Sequence, residues 1–110
     1  MGIQKDAGEI LLFIYNRYVN NSDTPNAKEL LDVTKWDGKR IERALKYLYR
    51  IEAVDITWML GEDEGVQNFI MGDLTPKGIS MIEDKTEFKK NFGYTVKLGP
   101  ISYSWGVSEK

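Results

Sequence analysis

The chain has 110 residues, 42% of them hydrophobic, and its 15 Lys and Arg against 17 Asp and Glu give a net charge of −2. This length suits one small domain with a single core. The sequence contains no Cys and no His, which excludes disulfides, thiol chemistry, the usual zinc ligand sets and any nucleophile that an imidazole activates. We therefore expect no catalytic mechanism, no cofactor and no metal site. No apolar run approaches the roughly 20 residues that span a bilayer, and the N-terminus does not resemble a signal peptide, so we expect a cytoplasmic protein.

Two helices are predicted in the first third of the chain. Between residues 5 and 20, apolar side chains recur at spacings of three and four, which is typical of one long helix with a broad apolar stripe. Turn-forming residues and Pro25 then interrupt the pattern. A second, short helix is predicted over residues 26–32, with Asn26 as its N-cap.

The third predicted helix is strongly basic on one face. Asp37 is a good N-cap, and the helix is expected to run to Arg50. Read at 3.6 residues per turn, four basic side chains fall within an arc of roughly 60°: Lys39, Arg43, Lys46 and Arg50. The opposite side is apolar, with Ile41, Ala44, Leu45 and Leu48. Residues 35–50 together carry +4 and the remaining residues −6. The basic face is either an ordinary solvated surface or a binding surface for a negatively charged partner.

A β-hairpin and a fourth helix follow. Apolar and polar residues alternate over residues 54–60, residues 61–65 form a loop bracketed by two glycines, and residues 66–73 are predicted to be the returning strand. Thr75 and Pro76 then indicate a helix start, because Thr is a favoured N-cap and Pro is favoured at the first helical position. This helix is expected to end near residue 85.

Residues 86–110 are predicted to be an extension of a domain formed by residues 1–85. A helical turn is expected over residues 87–91, with Phe88 and Phe92 on one face and Gly93 as its end. Beyond it, apolar residues alternate on both sides of Gly99 and Pro100, which favours a second hairpin. That hairpin would either pack on the domain or pair with a second copy of the chain.

The order of these elements resembles the winged helix-turn-helix domains of prokaryotic transcription regulators. Residues 27–31, Trp36 and residues 41–48 look like the supporting and recognition helices, and residues 49–54 look like the passage into the first wing strand. Residues 74–79 are similar to the Leu-Thr-x-Lys-Gly opening of the helix after the wing. The resemblance predicts an α+β fold with a three-helix core, a β-hairpin wing and a C-terminal helix, to which this chain adds a C-terminal β-hairpin.

Through this resemblance we expect a DNA-binding transcriptional regulator that inserts its basic third helix in the major groove of double-stranded DNA. The residues carried over as base contacts are Lys39, Arg40 and Arg43. Those carried over as phosphate contacts are Lys35, Lys46 and Arg50. The resemblance also implies a homodimer, with the first helix or the tail hairpin as its interface, that meets two half-sites about one helical turn apart.

The predicted wing departs from the family pattern. Its tip carries three consecutive acids, Glu62, Asp63 and Glu64, where many relatives of this fold carry basic residues. The phosphate backbone would repel such a tip, so we expect the wing not to touch DNA. The alternative function is therefore a protein–protein interaction module without DNA binding, whose basic face meets an acidic protein partner.

Overall fold

The structure, a computed structural model, describes residues 2–95. Within that range the chain forms five helices and one antiparallel pair of strands. In chain order these are α1 (Ile3–Val19), α2 (Ala27–Thr34), α3 (Gly38–Arg50), β1 (Val54–Asp63), β2 (Val66–Leu74), α4 (Pro76–Glu83) and α5 (Lys85–Phe92). The α+β class is confirmed, and this arrangement is compatible with a winged helix.

The core is built around α1. This helix packs against α3, α4 and α5, and its long apolar stripe is buried, with Ile10, Leu11 and Ile14 almost fully excluded from solvent. The apolar face of α3 is directed to the same core, and all four of its predicted core residues are buried: Ile41, Ala44, Leu45 and Leu48. The opposite, basic face of α3 is consequently directed outward.

The helix starts follow the predicted caps. The side chain of Asn26 accepts a hydrogen bond from the backbone N–H of Glu29, and that of Asp37 accepts one from Arg40, both at 2.9 Å. Thr75 caps α4 in the same way and also donates its hydroxyl to the backbone oxygen of Glu52 at 2.6 Å. The start of α4 is thereby attached to the segment that follows α3.

The hairpin is longer than we predicted. Residues 61–63, expected in a loop, belong to β1, because Glu62 pairs with Gln67 and the next residue pairs with Val66. An irregularity in the register between Trp58 and Glu62 includes Gly61, whose φ of 93° suits glycine. Gly61 therefore lies in a kink within the strand, and only the turn at residues 64–65 separates β1 from β2.

The region after β2 differs from the prediction in its helix boundaries. Helix α4 ends at Glu83, two residues early, because the side chain of Asp84 accepts hydrogen bonds from the backbone N–H groups of Thr86 and Glu87 and so begins α5. Helix α5 is a full eight residues rather than a single turn, and Phe88 and Phe92 on its inner face are both buried.

The second hairpin that we predicted around Gly99 and Pro100 lies outside the described residues. Tyr94 and Thr95, which precede it, are not in a strand. The ring of Tyr94 instead lies against that of Phe88, with centroids 5.2 Å apart.

Candidate nucleic-acid interface

The outer face of α3 carries a stripe of exposed positive charge. Arg43 and Arg50 are exposed, and neither forms an ion pair with a described side chain. Lys46 lies between them and is half-buried, because its ammonium contacts Glu42 at 3.1 Å and approaches the ring of Trp58. Arg43 and Arg50 are seven residues apart, so the stripe extends over about 10 Å of helix. Three cations along this length form a surface suited to a polyanion.

Lys35 lies in the turn between α2 and α3. Its backbone is left-handed, with a φ of 61°, and it ends α2 by donating its N–H to the backbone oxygen of Leu31. The side chain is exposed. Thus Lys35 is accessible, as its predicted role as a phosphate contact requires.

Arg40 is placed differently from the other predicted contacts. Its Nε and Nη2 atoms donate to the two carboxylate oxygens of Asp6 on α1, at 2.8 and 2.9 Å. Its guanidinium also lies over the ring of Trp36, 4.1 Å from the centroid. The hydrogen bonds to Asp6 raise the pKa of the Arg40 guanidinium, against the opposing effect of partial burial. Arg40 therefore uses two of its donor groups within the protein, and the structure does not place them for contact with a base.

Lys39 also has partners within the protein. Its ammonium is 3.7 Å from a carboxylate oxygen of Glu42 and 3.5 Å from one of Glu62, near the tip of the hairpin. The side chains of Lys39 and Glu62 are both more than half exposed. Lys39 is hence accessible to solvent, although two carboxylates offset its charge.

The hairpin turn packs directly on the beginning of α3. Gly38, the first residue of α3, is buried, and a Cβ there would overlap the backbone oxygen of Glu64. Gly65, the next residue of the turn, also lies against Gly38 and has a φ of 91°. Since the turn covers the first residue of α3, the open part of the basic face begins further along the helix, at Arg43.

Glu42 links the hairpin to the basic face. Its carboxylate accepts the backbone N–H of Gln67 on β2 at 2.9 Å and contacts both Lys46 and Lys39. Partial burial alone would raise the pKa of Glu42, but the hydrogen bond from Gln67 and the two lysines outweigh it and lower that pKa below its ordinary value of 4.5. Glu42 is consequently charged at neutral pH and holds β2 against α3.

A group of exposed apolar side chains on the hairpin was not predicted from the sequence. Leu60 is 95% exposed, and Met59 and Ile70 are about half exposed. Alternation over residues 54–60 predicts that Leu60 lies on the buried face of β1. Leu60 instead falls within the register irregularity and so leaves that face. The irregularity could not be identified from alternation alone.

Within residues 2–95, no group of three or more acidic residues is placed to hold a metal ion. In the same range, no helix has the length and apolar character needed to cross a membrane.

Comparison with known proteins does not assign the chain to a family. No protein-family model, curated protein or solved structure matches it. The geometry of the basic face is therefore the basis on which we propose a function.

Proposed function

We propose that the protein binds double-stranded DNA through the outer face of α3 and acts as a cytoplasmic transcriptional regulator. The observation that supports this most directly is the exposure of Arg43 and Arg50, without ion partners among the described side chains, on one stripe of a helix in an otherwise acidic protein. Exposed cations that no carboxylate offsets are available to displace counterions from a phosphate backbone.

The exposure and partners of each basic side chain favour particular DNA contacts among those predicted from the sequence. Arg43 lies at the end of the open stripe nearest the N-terminus of α3 and is the best candidate for contact with a base, since arginine can bind guanine with two parallel hydrogen bonds. Lys46 and Arg50 on the same stripe, with Lys35 in the preceding turn, are suited to phosphates. Arg40 is better suited to joining α3 to α1 through Asp6.

The experiment that tests this proposal compares two double variants of equal charge. Arg43→Ala/Arg50→Ala removes two cations from α3, and Lys85→Ala/Lys89→Ala removes two exposed cations from α5. Binding to a labelled random duplex is measured for both variants and for the wild type at the same salt concentration. We expect the α3 variant to lose at least about ten-fold in affinity and the α5 variant to stay within about three-fold of the wild type. Equal losses would show that α3 is not the DNA-binding surface.

We further propose that the protein acts as a homodimer, so that two copies of α3 meet half-sites about 34 Å apart. Eight of the 17 residues of α1 are buried in the core, and the exposed apolar residues near its C-terminal end are Tyr18 and Val19. Sedimentation equilibrium at micromolar concentration tests this part. A monomer that binds duplex DNA would refute the dimer while leaving the role of α3 intact.

The exposed apolar residues of the hairpin favour a second candidate function. DNA contact through α3 does not explain why Leu60, Met59 and Ile70 are exposed. Exposed apolar side chains are common at protein interfaces. In this alternative the protein is an interaction module whose basic face meets an acidic protein. Failure of the wild type to bind duplex DNA at about 50 mM salt, where electrostatic binding is strong, would favour it.

A further inference from the structure

The hairpin tip and α3 are in contact at two neighbouring places. The backbone at Glu64 and Gly65 packs on Gly38, and the carboxylate of Glu62 pairs with the ammonium of Lys39. The backbone contact leaves no room for a side chain, so it determines where the tip lies. Glu62 is held beside a cation of the basic face by the packing of its own hairpin.

The ion pair itself is exposed and therefore weak. The side chains of Lys39 and Glu62 are 58% and 59% exposed, and a pair of this kind changes an equilibrium by less than about five-fold. If Glu62 were removed, a DNA phosphate could take its place beside Lys39. Lys39 would then extend the open stripe towards the beginning of α3.

We propose that Glu62 is an intramolecular competitor for the DNA backbone. In the wild-type protein its carboxylate, together with that of Glu42, offsets the charge of Lys39 and keeps this residue from a phosphate. The contact is thus autoinhibitory: it lowers affinity for DNA of every sequence by withholding one phosphate contact. This inference depends on the proposed function, since it concerns the same basic face.

The test compares Glu62→Gln with Glu52→Gln. Glu52 is a matched control, because it is also exposed, belongs to an exposed ion pair with Lys77 and lies two residues beyond the end of α3. Both variants remove one negative charge near the basic face, but only Glu62→Gln removes a carboxylate that contacts a cation of α3, leaving Glu42 beside Lys39. Circular dichroism and thermal unfolding establish that both variants remain folded.

We expect Glu62→Gln to bind a labelled random duplex about two- to five-fold more tightly than Glu52→Gln. The plot of log affinity against log salt concentration should also become steeper by about 0.9, the amount expected for one additional phosphate contact. In a Lys39→Ala background, the gain from Glu62→Gln should disappear.

The outcomes separate this inference from the proposed function. If the wild type binds duplex DNA and the two Gln variants bind equally well, the inference is wrong and the role of α3 stands. A gain from Glu62→Gln that persists in the Lys39→Ala background also overturns it, because Glu62 would then act through general repulsion. If neither the wild type nor any variant binds, the proposed function fails and the inference with it.

Discussion

Arg40 on α3 is joined to Asp6 on α1 by two parallel hydrogen bonds of 2.8 and 2.9 Å. The arginine also covers the ring of Trp36, so one side chain connects α1, the turn before α3, and α3 itself. The side chain of Asp6 is largely buried, and the side chain of Arg40 is about two-thirds buried. This contact is a structural tie between α3 and the core helix α1.

Breaking this tie should reduce stability. Asp6→Asn removes the charge that faces Arg40 and weakens both hydrogen bonds, so we expect the free energy of unfolding to fall by about 1–2 kcal/mol. Urea unfolding followed by circular dichroism measures the change. Glu52→Gln, which removes a carboxylate from the exposed pair with Lys77, should cost less than about 0.5 kcal/mol. Equal costs for the two variants would show that the tie contributes no more than a surface ion pair.

Arg43 and Arg40 should differ in their effect on DNA binding. Arg43→Ala removes an exposed arginine that has no ion partner among the described side chains. It should weaken specific binding by about 1–3 kcal/mol, the usual cost of one lost base contact. Arg40→Ala should weaken binding much less at the same folded fraction, because two of its donor groups already serve Asp6. Affinity for a selected duplex, measured after thermal unfolding has been checked, distinguishes them. A larger loss for Arg40→Ala would contradict our placement of the base contact.

Gly38 should tolerate no side chain. In Gly38→Ala the new Cβ would overlap the backbone of the hairpin turn, so either the turn or the start of α3 must move. We expect a loss of about 1–3 kcal/mol in the free energy of unfolding, the range for overpacked sites. Gly2→Ala is the control, because the nearest atom to its added Cβ is 3.9 Å away. If the two variants were equally stable, the close packing of the turn on α3 would be disproved.

Glu42 should make stability dependent on pH in the acid range. Its pKa is lower in the folded protein than the ordinary 4.5, so its contribution is fully present above pH 4.5 and is lost as the pH falls through the folded value. Glu42→Gln should therefore be less stable than the wild type at pH 7, by about 1 kcal/mol, and this difference should shrink below pH 4.5. Urea unfolding at pH 7, 5, 4 and 3 measures it. A difference that stays constant over this range would refute the role of the charged carboxylate.

Most elements of the fold could be predicted from local patterns. Asn26, Asp37 and Thr75 each begin a helix as expected, because an N-cap and the backbone N–H that it accepts from are only three residues apart. The bulge at Gly61 and the cap at Asp84 were missed although they are also local. The residues around Gly61 are also compatible with a loop, and pairing with β2 selects the strand instead. The residues around Asp84 are also compatible with a continuing helix, and the start of α5 ends α4 there.

The candidate site was less predictable because its contacts are distant in sequence. Asp6 and Arg40 are 34 residues apart, and helical periodicity cannot show which acid a given arginine meets. The same holds for Lys39 with Glu62. A single signal was available: glycine is a poor helix former, and its presence at the start of α3 suggests that another segment packs there. That segment proved to be the hairpin turn.

The binding of a labelled random duplex by the wild-type protein, followed by fluorescence anisotropy at about 50 and 200 mM salt, tests the central claim most directly. Lys35, Lys46 and Arg50 as three phosphate contacts predict measurable binding at the lower salt concentration and about 40-fold weaker binding at the higher one. Absence of binding at about 50 mM salt, or binding that does not respond to salt, would contradict the proposal that the basic face of α3 contacts DNA.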